Sequence, residues 1–143
     1  RRSFMQKTSQ NSDLGKLRVL VVDDDPDILS LILMILQSMG IRDTERAMDG
    51  EAALEFFRSN PWCVDFVICD WIMPKMNGLE LFAQVRNINP NIPFMMLTSK
   101  SSADAVRTAV GAGVSYYIAK PFTQETLKKK VLSIAKEIFA NQK

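Results

Sequence analysis

Four short apolar runs rich in β-branched and aromatic residues, at residues 17–22, 65–70, 93–97 and 115–119, recur along this chain, with a weaker, charged run at 42–47. Each is followed by a stretch of helical periodicity. Such alternation leaves few architectures open, because strands separated by helices line up in parallel and need helices on both faces. The expected fold is therefore α/β, an open, doubly wound, five-stranded parallel sheet, with the charged run 42–47 at an edge.

The helix signals agree. Asp25 can cap a helix that has Pro26 at its first position and carries Ile28, Leu29, Ile32, Leu33, Ile35, Leu36 and Met39 until Gly40 stops it. Asp49-Gly50-Glu51 opens a second helix through Phe57, broken by Asn60-Pro61. After a loop through Pro74 and Asn77-Gly78, Leu79, Leu81, Phe82 and Val85 mark a third, which Pro90 ends. Ser101 or Ser102 can cap a fourth, with Ala105, Val106, Ala109 and Val110 before Gly111-Ala112-Gly113. Thr123 caps the last, with Glu125 in its first turn. Residues 1–15 are polar and read as a flexible leader, leaving 16–143 as one domain.

In sheets of this kind ligands sit beyond the carboxyl ends of the strands. The chemically versatile residues collect at those ends: Asp23, Asp24 and Asp25 after the first strand, Asp70 at the end of the third, Thr98 at the fourth and Lys120 at the fifth. The blander readings are helix capping for the acid cluster, a β-branched strand end for Thr98 and a surface lysine before a turn for Lys120. Each suffices for one residue alone, whereas four strand ends together call for a site.

Composition narrows the chemistry. The chain has no histidine, which excludes His-based triads, His-ligated zinc and histidine pH switches. Converging carboxylates repel each other unless a cation joins them, and hard oxygen ligands without His or Cys favour Mg2+. Asp70 as oxygen nucleophile, with a metal, Lys120 and Thr98 around it, makes a phosphoryl-transfer site. The two cysteines, Cys63 and Cys69, stand roughly 20 Å apart if the chain between them is extended, too far for a disulfide, and two reduced, mostly buried thiols suit a cytoplasmic protein. No membrane insertion is expected, since the longest apolar run, residues 28–36, is far short of a span. A net charge of +2 argues against direct nucleic-acid binding. Lys128-Lys129-Lys130 reads as a solvated helix face, and Met34, Met39, Met95 and Met96 as mostly core filler. Gly111-x-Gly113 lacks the third glycine and the preceding strand of a dinucleotide fingerprint.

The residues Val21-Val22-Asp23-Asp24-Asp25-Pro26, Asp70-Trp71-Ile72-Met73-Pro74-Lys75-Met76-Asn77-Gly78, Leu97-Thr98-Ser99 and Tyr117-Ile118-Ala119-Lys120-Pro121-Phe122, in that order, carry a resemblance. From Leu17 to about Asn141 the chain resembles the receiver domain of bacterial two-component response regulators, the CheY-like type. The resemblance implies the flavodoxin-like strand order 2-1-3-4-5 and a signalling switch that is not an enzyme in its own right. Asp70 accepts a phosphoryl group from the phosphohistidine of a sensor histidine kinase or histidine phosphotransfer protein. Asp23, Asp24, Asp70 and the backbone carbonyl of Ile72 hold Mg2+. Lys120, expected to precede a cis proline, pairs with the phosphoryl oxygens, Thr98 swings toward them, and Tyr117 turns inward. The surface of the fourth helix, fifth strand and fifth helix then changes its affinity for an output partner. Ile72 and Lys100 stand where some chemotaxis receivers carry Asn and Glu, which suggests slow loss of the phosphoryl group.

Two alternatives remain at this level. The Asp-x-Asp of residues 23–25 allows a haloacid-dehalogenase-type phosphohydrolase, although a cap domain and the usual Gly-Thr continuation are missing. A receiver-like interaction module that ignores phosphate is the other. The start at Arg1 suggests a trimmed or tag-bearing chain, and no effector domain is expected within it, as in a stand-alone receiver or one cut from a longer protein.

Overall fold

The computed structural model describes residues 13–99 and 103–141. Five strands, β1 (Arg18–Val22), β2 (Asp43–Ala47), β3 (Phe66–Asp70), β4 (Phe94–Thr98) and β5 (Tyr116–Ala119), alternate with five helices. These are α1 (Pro26–Ser38), α2 (Gly50–Ser59), α3 (Gly78–Ile88), α4 (Ala103–Ala112) and α5 (Gln124–Asn141). All four strand pairings are parallel, in the order β2-β1-β3-β4-β5. This is the expected doubly wound architecture with the expected order, and the charged strand lies at an edge.

The period of two along each strand divides the core into two layers. Val19, Val21, Phe66, Ile68, Met95 and Leu97 point to one face, where Leu29, Ile32 and Leu36 of α1 and Leu127, Val131 and Ile134 of α5 cover them. Leu20, Val22, Val67, Cys69, Phe94 and Met96 point to the other, against α2, α3 and α4. β3 and β4 are buried throughout, which is why their sequences are apolar at every position rather than alternating. Each large apolar side chain fully buried there contributes about 1.5–3 kcal/mol. The Phe82 ring meets Phe94 edge-on with centroids 5.1 Å apart, fixing α3 on the sheet.

The helix ends follow their local chemistry. Asp25 accepts hydrogen bonds from the Asp27 and Ile28 amides at the head of α1, with Pro26 at the first helical position. α1 and α4 both close in Schellman turns around Gly40 and Gly113, whose φ angles are 96° and 99°. At α3, Asn77 and Glu80 form a reciprocal capping box, so the Asn77 expected in the loop is the cap of the helix, with the Asn-x-x-Glu spacing as its signal. Thr123 caps α5 through the Thr126 amide, whereas the expected caps of α4, Ser101 and Ser102, lie outside the described residues.

Several exposures differ from expectation. Cys63 sits in the turn after α2 and is exposed, so only Cys69 is a buried thiol. Met34 is exposed on α1, because its position faces away from the sheet, while Met95 and Met96 are fully buried. Leu14, within the polar leader, is buried with Leu17 against α1 and α5. Among the described residues no helix is long and apolar enough to cross a membrane.

Candidate functional site

β3 is the centre of the sheet; its pairing with β1 runs as far as Cys69, opposite Val22, and its last residue, Asp70, pairs with Leu97 of β4. The chain then leaves under tight control. The Trp71 amide donates to the Leu97 carbonyl and the Gly78 amide to the Trp71 carbonyl, each at 2.8 Å. Between them the Met76 amide donates to the Pro74 carbonyl at 2.8 Å around Lys75, whose φ of 69° makes a left-handed one-residue reversal. Gly78 is where α3 comes against this strand end: a Cβ there would lie 2.5 Å from the Asp70 carbonyl oxygen and 2.9 Å from Trp71 Cα.

Asp23, at the end of β1, is wholly buried, and both its oxygens are engaged. Oδ1 accepts from the Asp25 amide at 2.9 Å and Oδ2 from Lys120 Nζ at 3.0 Å. The same ammonium lies 3.2 Å from Asp70 Oδ1. Lys120 is anchored at the end of β5 by its backbone amide, which donates to the Thr98 carbonyl at 2.7 Å, and its bond to Pro121 is cis, as expected. Carboxylate oxygens of Asp23, Asp24 and Asp70 gather within 4.8 Å of one another, with Asp24 on the solvent side. Thr98 is buried at the end of β4, one register step beyond Leu97, the partner of Asp70. Tyr117 is half-buried against the α2–α4 side of the core. Ile72 is 48% exposed at the rim. Lys100 lies outside the described residues.

The electrostatics follow from this packing. Burial raises the Asp70 pKa above the ordinary carboxylate value, and Asp23 pushes it further the same way, more than Lys120 offsets. Burial alone lowers Lys120, but its hydrogen bond to Asp23 and the charges of Asp70 and Asp23 outweigh that and leave its pKa raised. One ammonium thus serves two buried acids. The pocket carries an excess of negative charge that a divalent cation would neutralise, and its donors are hard oxygens. The nearby thiol does not compete: Cys69 donates its S–H to the Asp70 carbonyl at 3.1 Å, and burial, with Asp70 and Asp23 beside it, raises its pKa well above the ordinary thiol value. The donor set fits a hard, oxygen-seeking metal ion. Asp25 takes no part, since its side chain caps α1; without it the Asp-x-Asp reading of a haloacid-dehalogenase-type hydrolase loses its second acid.

The structure therefore brings together Asp23, Asp24, Asp70 and Lys120, and sets Thr98 on the neighbouring strand end. Sequence reasoning places Gly78 only in a loop and misses its part here; the Asn-Gly pair does not show that α3 comes against the strand end at this residue.

Comparison with known proteins points the same way. Residues 19–132 match the model of the response regulator receiver domain. The chemotaxis protein CheY of Pseudomonas aeruginosa is 34% identical over 124 residues, covering 85% of this chain and 98% of that protein. The structure of Vibrio cholerae CheY4 superposes with a TM-score of 0.75 at 32% identity, covering 82% of this chain and 98% of that one. CheY in a CheX–CheY–BeF3–Mg2+ complex from Borrelia burgdorferi gives a TM-score of 0.78 at 25% identity, over 82% of this chain and 88% of its own. With its acidic pocket at the carboxyl edge of a 2-1-3-4-5 sheet, the chain belongs to the response regulator receiver domains, CheY-like phosphoacceptor modules of two-component signalling rather than catalytic enzymes.

Proposed function

We propose that Asp70 is the phosphoacceptor and that Asp23, Asp24, Asp70 and the Ile72 carbonyl hold Mg2+. The observation that carries this reading is the Lys120 ammonium suspended between Asp23 and Asp70, at 3.0 and 3.2 Å, beside a third carboxylate. An Asp70 oxygen attacks the phosphorus of a phosphohistidine on a sensor histidine kinase or histidine phosphotransfer protein; the P–N bond breaks, the imidazole leaves, and an acyl phosphate forms. Asp70 is held at the end of the central strand by its pairing with Leu97 of β4 and by its ion pair with Lys120, so little orientational entropy remains to be lost. Lys120, already 3.2 Å from Asp70 Oδ1, is placed to pair with the incoming phosphoryl oxygens, and Thr98 to donate its hydroxyl to them. Bound Mg2+ supplies charge neutralisation at the same oxygens. The solved Borrelia relative, with BeF3 and Mg2+ in its complex, supports this assignment by likeness.

The added charge shifts a population between two states of the α4–β5–α5 surface, with Tyr117 turning inward behind Thr98. Exposed Val110 on α4 and Leu132 on α5 offer apolar footing there for an output partner. A reducing cytoplasm suits the exposed thiol of Cys63.

Radiolabelled acetyl phosphate with Mg2+ tests the assignment. Label is expected on the wild-type protein, lost to EDTA and absent in Asp70→Asn; label retained by Asp70→Asn, or a wild type that takes none, overturns it. The latter result would favour the phosphate-blind interaction module.

Ile72 sets the lifetime of the signal. Its branched apolar side chain stands two residues beyond Asp70 at the rim, where it shields an acyl phosphate and cannot orient a water. The double variant Ile72→Asn, Lys100→Glu is expected to lose its label on the order of tenfold faster, short of the roughly 10²–10⁴-fold of a full general acid or base because the new side chains only orient the water. An unchanged decay rate of the purified labelled protein would remove Ile72 and Lys100 from that role.

A further inference from the structure

A second pocket lies at the opposite end of the sheet from Asp70. It opens where the chain enters β3 and β4, between Val64 and Asp65, Ile92 and Pro93, and the last turns of α5, and its volume is about 260 Å³. Trp62 stands at its edge, 77% exposed, the most exposed of the large apolar side chains among the described residues. Asp65 and Glu137 line it with the amides of Asn89, Asn91 and Asn141, and among the described residues no lysine or arginine does.

Both carboxylates are fixed in place. Asp65 Oδ2 accepts from the Arg18 amide at 2.8 Å, and Glu137 Oε1 accepts from the Tyr116 hydroxyl. Each is held through one oxygen, and neither pairs with a cation among the described residues. Two arginines of adjoining segments are engaged elsewhere. The Arg18 guanidinium pairs with Asp43, and Arg86 donates to the Pro90 and Ile92 carbonyls while lying 4.8 Å over the Phe82 ring.

We propose that this pocket receives an arginine side chain from a segment of a partner protein. A guanidinium is flat enough to stack on the Trp62 indole and forked to reach carboxylates edge-on, and its remaining N–H groups match side-chain amide oxygens. Lysine offers a compact ammonium without a stacking face. The acidic lining repels phosphate, which sets aside nucleic acid and anionic lipid. Its position at the amino ends of β3 and β4 separates the pocket from the phosphoryl-acceptor end, so it recognises a partner independently of the Asp70 chemistry.

The probe is the capped tripeptide acetyl-Gly-Arg-Gly-amide, titrated into nitrogen-15-labelled protein. The Trp62 indole N–H and the Asn89 and Asn91 side-chain amides are expected to shift together, saturating in the millimolar range natural to a single side chain. The citrulline counterpart, of the same shape without the charge, and the lysine counterpart are expected to bind about fivefold more weakly or worse. Trp62→Ala and Glu137→Gln, both at exposed side chains, should each weaken the arginine peptide by about as much. Equal binding of arginine and citrulline peptides, unchanged affinity in Trp62→Ala, or shifts confined to the Asp24 and Asp70 end would overturn the proposal.

Discussion

Lys120→Met is expected to cost about 2–3 kcal/mol of stability near neutral pH in metal-free buffer, and to recover most of that loss when Mg2+ is added or the pH is lowered. The wild-type ammonium is the sole ion-pair partner of both Asp23 and Asp70 among the described residues. Methionine keeps most of the aliphatic stem while leaving the two buried acids unpaired, and breaking a buried pair costs about 3–5 kcal/mol; the lower figure allows for the partial exposure of Lys120. The direction with pH follows from Asp70. Its folded pKa already lies above the ordinary 3.8, through burial and the charge of Asp23, and loss of Lys120 raises it further. A carboxyl with a raised folded pKa adds stability that is fully present below the unfolded value and is lost as pH rises through the folded one. The deficit of the variant should therefore be small at about pH 4 or below and grow above it. Lys120 itself, with a raised pKa, holds the wild-type pair together up to alkaline pH, where its own deprotonation releases it. Urea unfolding across pH, with and without Mg2+, checks this. A deficit independent of both would mean that the stem of Lys120, and not its charge, was what mattered.

Gly78→Ala should cost about 1–3 kcal/mol, or more, and with it the ability to accept a phosphoryl group. The new methyl would press on the Asp70 carbonyl oxygen at 2.5 Å, the Met96 sulfur at 2.7 Å and Trp71 Cα at 2.9 Å. Only the methionine can turn aside, and it is fully buried itself. Relief must come from moving either α3 or the end of β3, and the second displaces Asp70 from Lys120. Gly111→Ala is the control: it lies within α4 with open space around its Cα, and the exchange there should stabilise by about 0.5–1 kcal/mol. For a domain of this size a melting-temperature change of about 2–8 °C per kcal/mol makes both effects measurable. Gly78→Ala that melts and labels like Gly111→Ala would show that α3 yields freely.

Much of the site was legible in the chain because a parallel sheet turns strand order into proximity. Runs ending in Asp23, Asp70, Thr98 and Lys120 had to present those residues along one edge, whatever the details of packing. Legibility stopped where a residue's role depends on atoms distant in sequence. No local pattern shows that Asp23 uses both its oxygens, that Asp25 is taken by the helix it caps, or that Gly78 lies against the Asp70 carbonyl. Exposure was harder still. Met34 and Val110 are apolar residues that periodicity alone would bury, yet each is exposed on its helix, and the Cys63 thiol is exposed in the turn after α2. The Trp62 pocket went unseen for a different reason: its walls come from two separate loops and a helix end, and none carries a motif.

The strand order also decides how crowded such a protein can safely become. Any open sheet has two rims with unpaired backbone groups, on which a neighbouring molecule can add a strand. Here one rim is β2, Asp-Thr-Glu-Arg-Ala, charged at three of its five positions, with Asp43 bound to Arg18. The other is β5, only four residues long and followed directly by Lys120 and a proline that has no amide hydrogen to donate. Neither rim makes a good template, so the domain can be held at high concentration without one sheet adding to the next.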